Sequence, residues 1–245
     1  FLAENRPVTC IDPDFEAMSQ KSAQLIADCV RAKPDALLSL AAGSTAARTF
    51  EILHEMAQRG EVDFSQARFV ALDEWLDLED ESENCQAFLR KHFYGPMGIP
   101  DERITFFDVH AKDLEQECKR VDQVIFDHGG IDCMLLGIGM NGHLGLNEPG
   151  RTFNSYAKVV ELDPITTQVG QKYFSAGMKL TRGITLGVRH MYESKLVILQ
   201  AGGAHKKEII QKMYQTPPTE KLPATVLKLL PGGVVVLDRD AAAGL

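Results

Sequence analysis

Short apolar runs alternate with stretches of helical periodicity along almost the whole chain, and no other feature limits the fold as much. Ala36 to Leu40, Arg68 to Leu72, Ile104 to Phe107, Cys133 to Leu136, Lys195 to Leu199 and Val234 to Leu237 each read as a strand. Tyr156 to Leu162 reads as a further strand, and Thr181 to Gly187 returns to the core. Between these runs the spacing changes to that of helices. Asp12-Pro13 supplies a helix start, and Phe15, Met18, Ser22, Leu25, Ile26, Cys29 and Val30 then repeat on one face. Phe50, Leu53 and Met56 mark a second helix that ends at Gly60. Glu83–Tyr94, Asp113–Asp127 and the segment opened by Gly202-Gly203 mark three more. Strands separated by helices need crossover connections. The expected fold is therefore α/β: a doubly wound, mostly parallel sheet with helices on both faces. With 245 residues, 44% of them hydrophobic, the chain can bury one sizeable core. No repeat, low-complexity stretch or linker interrupts it, so residues 1–245 are read as one domain.

The strand Cys133 to Leu136 breaks into Gly137-Ile-Gly139-Met-Asn141-Gly142-His143-Leu-Gly145-Leu-Asn147-Glu148-Pro149-Gly150. Five glycines in this loop let the backbone turn sharply and approach a ligand closely. An imidazole, a carboxylate and two amides sit among them, a polar load too large for a turn that only connects. A structural turn around a core histidine is the bland alternative. Gly137-x-Gly139-x-x-Gly142 also fits the dinucleotide fingerprint, but that motif needs a helix opening at its third glycine. Here Gly145, Pro149 and Gly150 follow instead, with no helical periodicity.

Two other strand ends carry candidate ligand groups. After Ala36 to Leu40 come Ala41, Ala42, Gly43, Ser44 and Thr45, leading into a helix. A helix N-terminus presents free N–H groups and the positive end of the dipole, which suits an anion. The competing reading is that Ser44 or Thr45 merely caps the helix. Asp73 comes directly after the run Arg68 to Leu72, and ligands in open α/β sheets bind outside the carboxyl ends of the strands. The acids beyond it (Asp77, Glu79, Asp80, Glu81, Glu83) read as a solvated loop.

Composition excludes other classes. The net charge of −8 repels a phosphate backbone, so nucleic acid is not an expected partner. No run approaches the ~20 apolar residues that span a bilayer, and no secretion signal is visible. Five scattered cysteines without a Cys-x-x-Cys pair read as reduced, mostly packed thiols of a cytoplasmic protein.

The loop from Gly137 to Gly150 closely resembles the signature of the glucosamine-6-phosphate deaminase/isomerase family. The related 6-phosphogluconolactonases share its Gly-His portion but lack Asn147-Glu148-Pro149. Leu72-Asp-Glu-Trp75 and Leu180-Thr-Arg-Gly-Ile-Thr-Leu-Gly187 look most like the galactosamine-6-phosphate branch. The resemblance implies conversion of an amino-sugar 6-phosphate to a ketose 6-phosphate and ammonia, with no metal or organic cofactor. Galactosamine 6-phosphate is the preferred substrate on this reading and glucosamine 6-phosphate the next. Two alternatives use the same fold, a lactonase-type hydrolase and a non-catalytic phosphosugar-sensing domain.

The resemblance also implies roles. His143 would shuttle the ring-opening proton, oriented by Glu148 and Asn141; many relatives carry Asp at the last position. Asp73 would move the proton between C2 and C1. Ala42, Gly43, Ser44 and Thr45 would cradle the phosphate together with Lys206, although periodicity alone reads Lys206 as a surface residue. Lys172 stands where many deaminases have arginine, and Pro164 to Met178 corresponds to a mobile lid in the family. The chain ends at Leu245 without the longer tail of allosterically regulated deaminases, which implies simple kinetics. Whether copies associate is left open.

Overall fold

The computed structural model describes residues 6–245. Seven parallel strands form the main sheet in the order β1-β10-β9-β6-β2-β3-β5. They are β1 (Val8–Asp12), β2 (Leu37–Leu40), β3 (Arg68–Val70), β5 (Ile104–Thr105), β6 (Cys133–Leu136), β9 (Leu196–Ala201) and β10 (Gly233–Asp238). Three further strands, β4 (Asp73–Leu76), β7 (Lys158–Glu161) and β8 (Arg182–Thr185), form a separate antiparallel sheet in the order β4-β8-β7. The helices are α1 (Phe15–Ala32), α2 (Ser44–Gln58), α3 (Cys85–Leu89), the short α4 (Gly95–Met97), α5 (Leu114–His128), α6 (Pro164–Val169), α7 (Val188–Glu193) and α8 (Lys207–Gln215).

Period-two alternation along buried strands builds two cores from one sheet. Leu38, Leu135, Ile198 and Val236 face one side, where α1 and α2 bury Met18, Ile26, Phe50 and Leu53. Leu37, Leu136, Leu199 and Leu237 face the other, against Val121 and Ile125 of α5, Met191 of α7 and Ile210 and Met213 of α8. The sheet is thus covered on both faces, as the alternation of strand and helix signals requires.

Three local readings change. Helix α1 starts at Phe15, with Asp14 as the cap whose side chain accepts from the Ala17 N–H at 2.8 Å. Asp12 is instead the last residue of β1, paired with Asp238, and Phe15 is exposed. β1 is an edge strand with no fully buried residue, so no apolar pattern announced it. The segment read as a helix to Tyr94 is α-helical only over Cys85–Leu89 and continues as a π-helical turn over Arg90–Tyr94.

The largest change concerns the end of the run Arg68 to Leu72. The chain leaves the main sheet after Val70, and Asp73 opens β4 in the second sheet. Trp75, Leu146, Val160, Phe174 and Leu180 form a small core of their own beneath that sheet. Asp73 therefore stands at the junction of two sheets, beside the carboxyl ends of β2 and β6.

Candidate active site

One pocket lies along these strand ends. Its wall takes in the turn after β2 (Ala42 to Thr45), Asp73, the loop after β6, and the roof formed by α6 and the 3-10 turn Gly170–Tyr173. The structure thereby brings Asp73, Asn141, His143, Lys172 and Lys206 to one cavity with Ala42, Gly43, Ser44 and Thr45. Glu148 lies immediately behind the wall, 2% exposed, and reaches the cavity through His143 and Thr166, which both line it.

The loop after β6 turns without forming a helix, so the dinucleotide motif lacks the element that would hold a pyrophosphate. Its role here is to present His143. Gly139 N–H donates to the His143 carbonyl at 3.0 Å, closing the loop on itself. The imidazole then lies against the Gly139 backbone, where a Cβ would stand 2.5 Å from Cδ2 and Nε2. Only glycine leaves that space.

The other side of the ring is held by polar groups. His143 Nδ1 is 2.6 Å from Glu148 Oε1 and 2.9 Å from Thr166 Oγ1. The Thr166 hydroxyl donates to Glu148 Oε1 at 2.9 Å, and the second carboxylate oxygen accepts from the Asp163 N–H. An ionised carboxylate only accepts, so Nδ1 carries the ring proton and Nε2 is left as the free base. Asn141 makes no hydrogen bond to the ring. Its Oδ1 accepts from the His143 backbone N–H at 3.2 Å and its amide donates to Thr166 Oγ1 at 3.2 Å. Asn147, also buried, holds the loop by donating to the Leu144 and Leu186 carbonyls, both at 2.9 Å.

Asp73 is set differently. Burial raises its carboxyl to about 7, the charge of adjacent Glu74 adds to this, and the Cys85 thiol opposes it. Glu74 accepts from the backbone N–H groups of Trp75, Cys85 and Gln86, each at 2.9 Å. It thereby fixes β4 to the start of α3. A carboxylate poised near neutrality can both take and return a proton at working pH.

The opposite end of the cavity is cationic. Gly43 caps α2 with φ +124°, a region that disfavours side chains, and neither Ser44 nor Thr45 spends its hydroxyl on a capping bond. The simple-cap reading of those two residues therefore gives way to free donors at a helix N-terminus. Lys206 is 7% exposed, not a surface residue, and its ammonium donates to the Ile138 carbonyl at 2.6 Å. Burial and the neighbouring charge of Lys172 lower it to about 8, and no carboxylate offsets them. Burial also lowers Lys172, whose Nζ lies 5.1 Å above the Tyr173 ring. A buried ammonium group without a counter-charge, with a second lysine near it and helix N–H groups beside it, is an arrangement that suits an anion.

Several groups at the pocket carried no sequence signal. Thr166 sits in a segment of weak periodicity, and Glu74 entered only as a member of Leu72-Asp-Glu-Trp75, with no role of its own. Tyr173, Trp75, Cys85 and Gln200 complete the wall. Tyr173 comes within 3.5 Å of where a Gly43 Cβ would lie, so the roof closes onto the anion loop.

This combination of doubly wound sheet, histidine loop and anion cradle has a counterpart among known proteins. Residues 14–235 match the family described as glucosamine-6-phosphate isomerases/6-phosphogluconolactonase, and the chain belongs to that family of enzymes. The glucosamine-6-phosphate deaminase of Bacillus pumilus is 39% identical over 232 residues, covering 94% of this chain and 96% of its own. That of Thermoanaerobacter pseudethanolicus is 35% identical over 235 residues, covering 95% and 93%. A solved structure described as a monomeric glucosamine-6-phosphate deaminase superposes with a TM-score of 0.92 at 32% identity, covering 97% of this chain and 100% of its own. The 6-phosphogluconolactonase of Trypanosoma brucei shares the fold with a TM-score of 0.76, but at 20% identity, over 98% and 99% of the two chains. Among the described residues no helix is long and apolar enough to cross a membrane.

Proposed function

We propose that this enzyme converts a 2-amino-2-deoxyhexose 6-phosphate to the corresponding ketohexose 6-phosphate and ammonia. The observation that carries the reading is the placement in one cavity of a near-neutral carboxylate, Asp73, a histidine backed by a buried glutamate, and an uncompensated cationic cradle. His143 Nε2 takes the proton of the anomeric hydroxyl and returns it at the ring oxygen, opening the sugar. Asp73 then removes the C2 proton to give an enolamine and delivers it to C1. Water adds to the resulting iminium carbon at C2, and ammonia leaves. Lys206, Lys172 and the loop Ala42 to Thr45 hold the phosphate, whose remote binding energy keeps the sugar in register. Glu148 keeps the imidazole tautomer. Neither the proton transfers nor the hydrolysis calls for a metal or organic cofactor.

The relatives above support the glucosamine epimer as substrate. A second reading, the galactosamine epimer, has one observation in its favour. Leu72 to Trp75 and Leu180 to Gly187, the segments that resemble the galactosamine branch, are neighbours in the second sheet, with Asp73 opposite Thr185. The Leu180 to Gly187 segment contributes no residue to the pocket wall, so any effect on the C4 hydroxyl passes through β4. A site built to hydrogen-bond one epimer rejects the other strongly. Ammonia release from both 6-phosphates, with 6-phosphogluconolactone hydrolysis in parallel, tests the proposal. Ammonia from either epimer supports it, the larger kcat/KM names the substrate, and lactone hydrolysis without ammonia release overturns it.

A further inference from the structure

Thr166 belongs to two structures at once. Its hydroxyl, in a residue only 3% exposed, donates to Glu148 Oε1 at 2.9 Å. The same oxygen lies 2.9 Å from His143 Nδ1 and accepts from the Asn141 amide at 3.2 Å. Its one donor and both acceptor sites are thus used, all within the group that holds the imidazole. Yet Thr166 lies on α6, part of the pocket roof, and three residues earlier the Asp163 N–H donates to the other oxygen of Glu148. Glu148 therefore bonds the roof with both oxygens while bonding His143 with one. Beyond α6 the chain runs directly into the 3-10 turn Gly170–Tyr173, which carries Lys172 and sets Tyr173 against the anion loop at Gly43.

We propose that Thr166 is a positioning residue through which the seating of the roof segment 163–173 on the anion site fixes the imidazole of His143. The inference rests on the deaminase reading for the identity of the reaction, but its geometry is independent of it. With the roof seated, the threonine oxygen and Glu148 share the Nδ1 proton, and Nε2 faces the cavity as a base. With the roof displaced, Glu148 loses the Asp163 and Thr166 donors together. The ring then keeps one partner and can rotate or exchange tautomers. An anion held by Lys172 favours the seated segment, so phosphate binding at one end of the cavity readies the base at the other. Such coupling requires contacts that differ between two arrangements of one element, which these hydrogen bonds provide.

Thr166→Val keeps shape and β-branching but removes the hydroxyl; Thr166→Ser keeps the hydroxyl. On closed-ring substrate the valine variant should lose about 10- to 100-fold in kcat, with a much smaller change in KM, as for a lost hydrogen bond to a charged group. The serine variant should recover most of that loss. In ¹⁵N NMR of the wild-type protein, His143 should report protonated Nδ1, and inorganic phosphate should sharpen that signal; in the valine variant the tautomers should mix. Equal losses in both variants would assign Thr166 to packing, and an unchanged His143 spectrum in the valine variant overturns the proposal. The spectrum reads the coupling even if wild-type protein releases no ammonia, an outcome that sinks the deaminase reading alone.

Discussion

Asp73 and Glu74 are consecutive in β4 and send their carboxylates to opposite sides of the strand. Asp73 faces the cavity, whereas Glu74, 4% exposed, takes three backbone N–H donors at the start of α3. Strand geometry enforces the division, since successive side chains alternate faces. The buried Glu74 charge is held where it opposes ionisation of Asp73 but cannot take part in proton transfer. A carboxyl near neutrality is thus produced by burial, with its own chain neighbour adding to it.

Asp73→Asn should abolish turnover and leave substrate binding largely intact, because the amide keeps the shape but accepts no C2 proton. In wild-type enzyme kcat/KM should rise with pH through about 7, the value to which Asp73 is raised. The stability effect has the opposite sign to that of a salt-bridged aspartate. Between its ordinary 3.8 and about 7 the folded protein retains a proton that the unfolded chain has lost, so this group's contribution to stability falls as pH rises. Asp73→Asn should therefore stabilise the fold at pH 8, by up to roughly 4 kcal/mol and seen as a raised Tm, and leave it nearly unchanged at pH 4. Normal turnover, or no gain at pH 8, removes the residue from this role.

His143→Gln should slow the closed-ring substrate far more than an open-chain one. The imidazole is built into the histidine loop, and the proposed mechanism gives the proton transfers at C2 and C1 to the separate carboxylate of Asp73. Rate measurements on both forms decide the point; equal losses would place His143 in the later steps or in the fold alone.

Gly139→Ala tests the loop backbone. The added Cβ meets the imidazole at 2.5 Å, so the ring must shift while the proposed phosphate cradle stays in place. A misplacement approaching 1 Å costs on the order of 10²-fold in rate. The expected result is a large fall in kcat with KM little changed, and an unaltered kcat would show that the ring position is not critical.

Lys206→Ala should weaken binding by about 1.5–3 kcal/mol, the range for a charged hydrogen bond, seen as a raised KM. Lys206 in the free enzyme is lowered to about 8, so wild-type kcat/KM should fall again as pH rises through that value and the ammonium is lost. That basic limb should move or disappear in the alanine variant. Equal use of phosphorylated and phosphate-free amino sugar by the wild-type enzyme would dispose of the anion site.

Much of this molecule is set by order along the chain. Buried parallel strands need continuous apolar runs, and amphipathic helices need a 3.6-residue period; both are local patterns, so Ala36 to Leu40 and Cys133 to Leu136 could be read directly. The glycine loop was legible because its function depends on what side chains are absent, and Gly139 shows why. The edge strand β1 left no trace, since it buries too little to be patterned. The second sheet was equally hidden, because its strands β4, β7 and β8 come from separated parts of the chain and their pairing is a tertiary contact. The candidate site divides in the same way. Asp73, His143 and Glu148 announce themselves by residue type and by the company they keep in sequence. That Lys206 is buried, that Asn141 bonds Thr166 and not the ring, and that burial lifts Asp73 are results of approach in space. Desolvation and hydrogen bonding depend on what surrounds a group in three dimensions, and no spacing along the chain encodes that until the fold has brought the neighbours together.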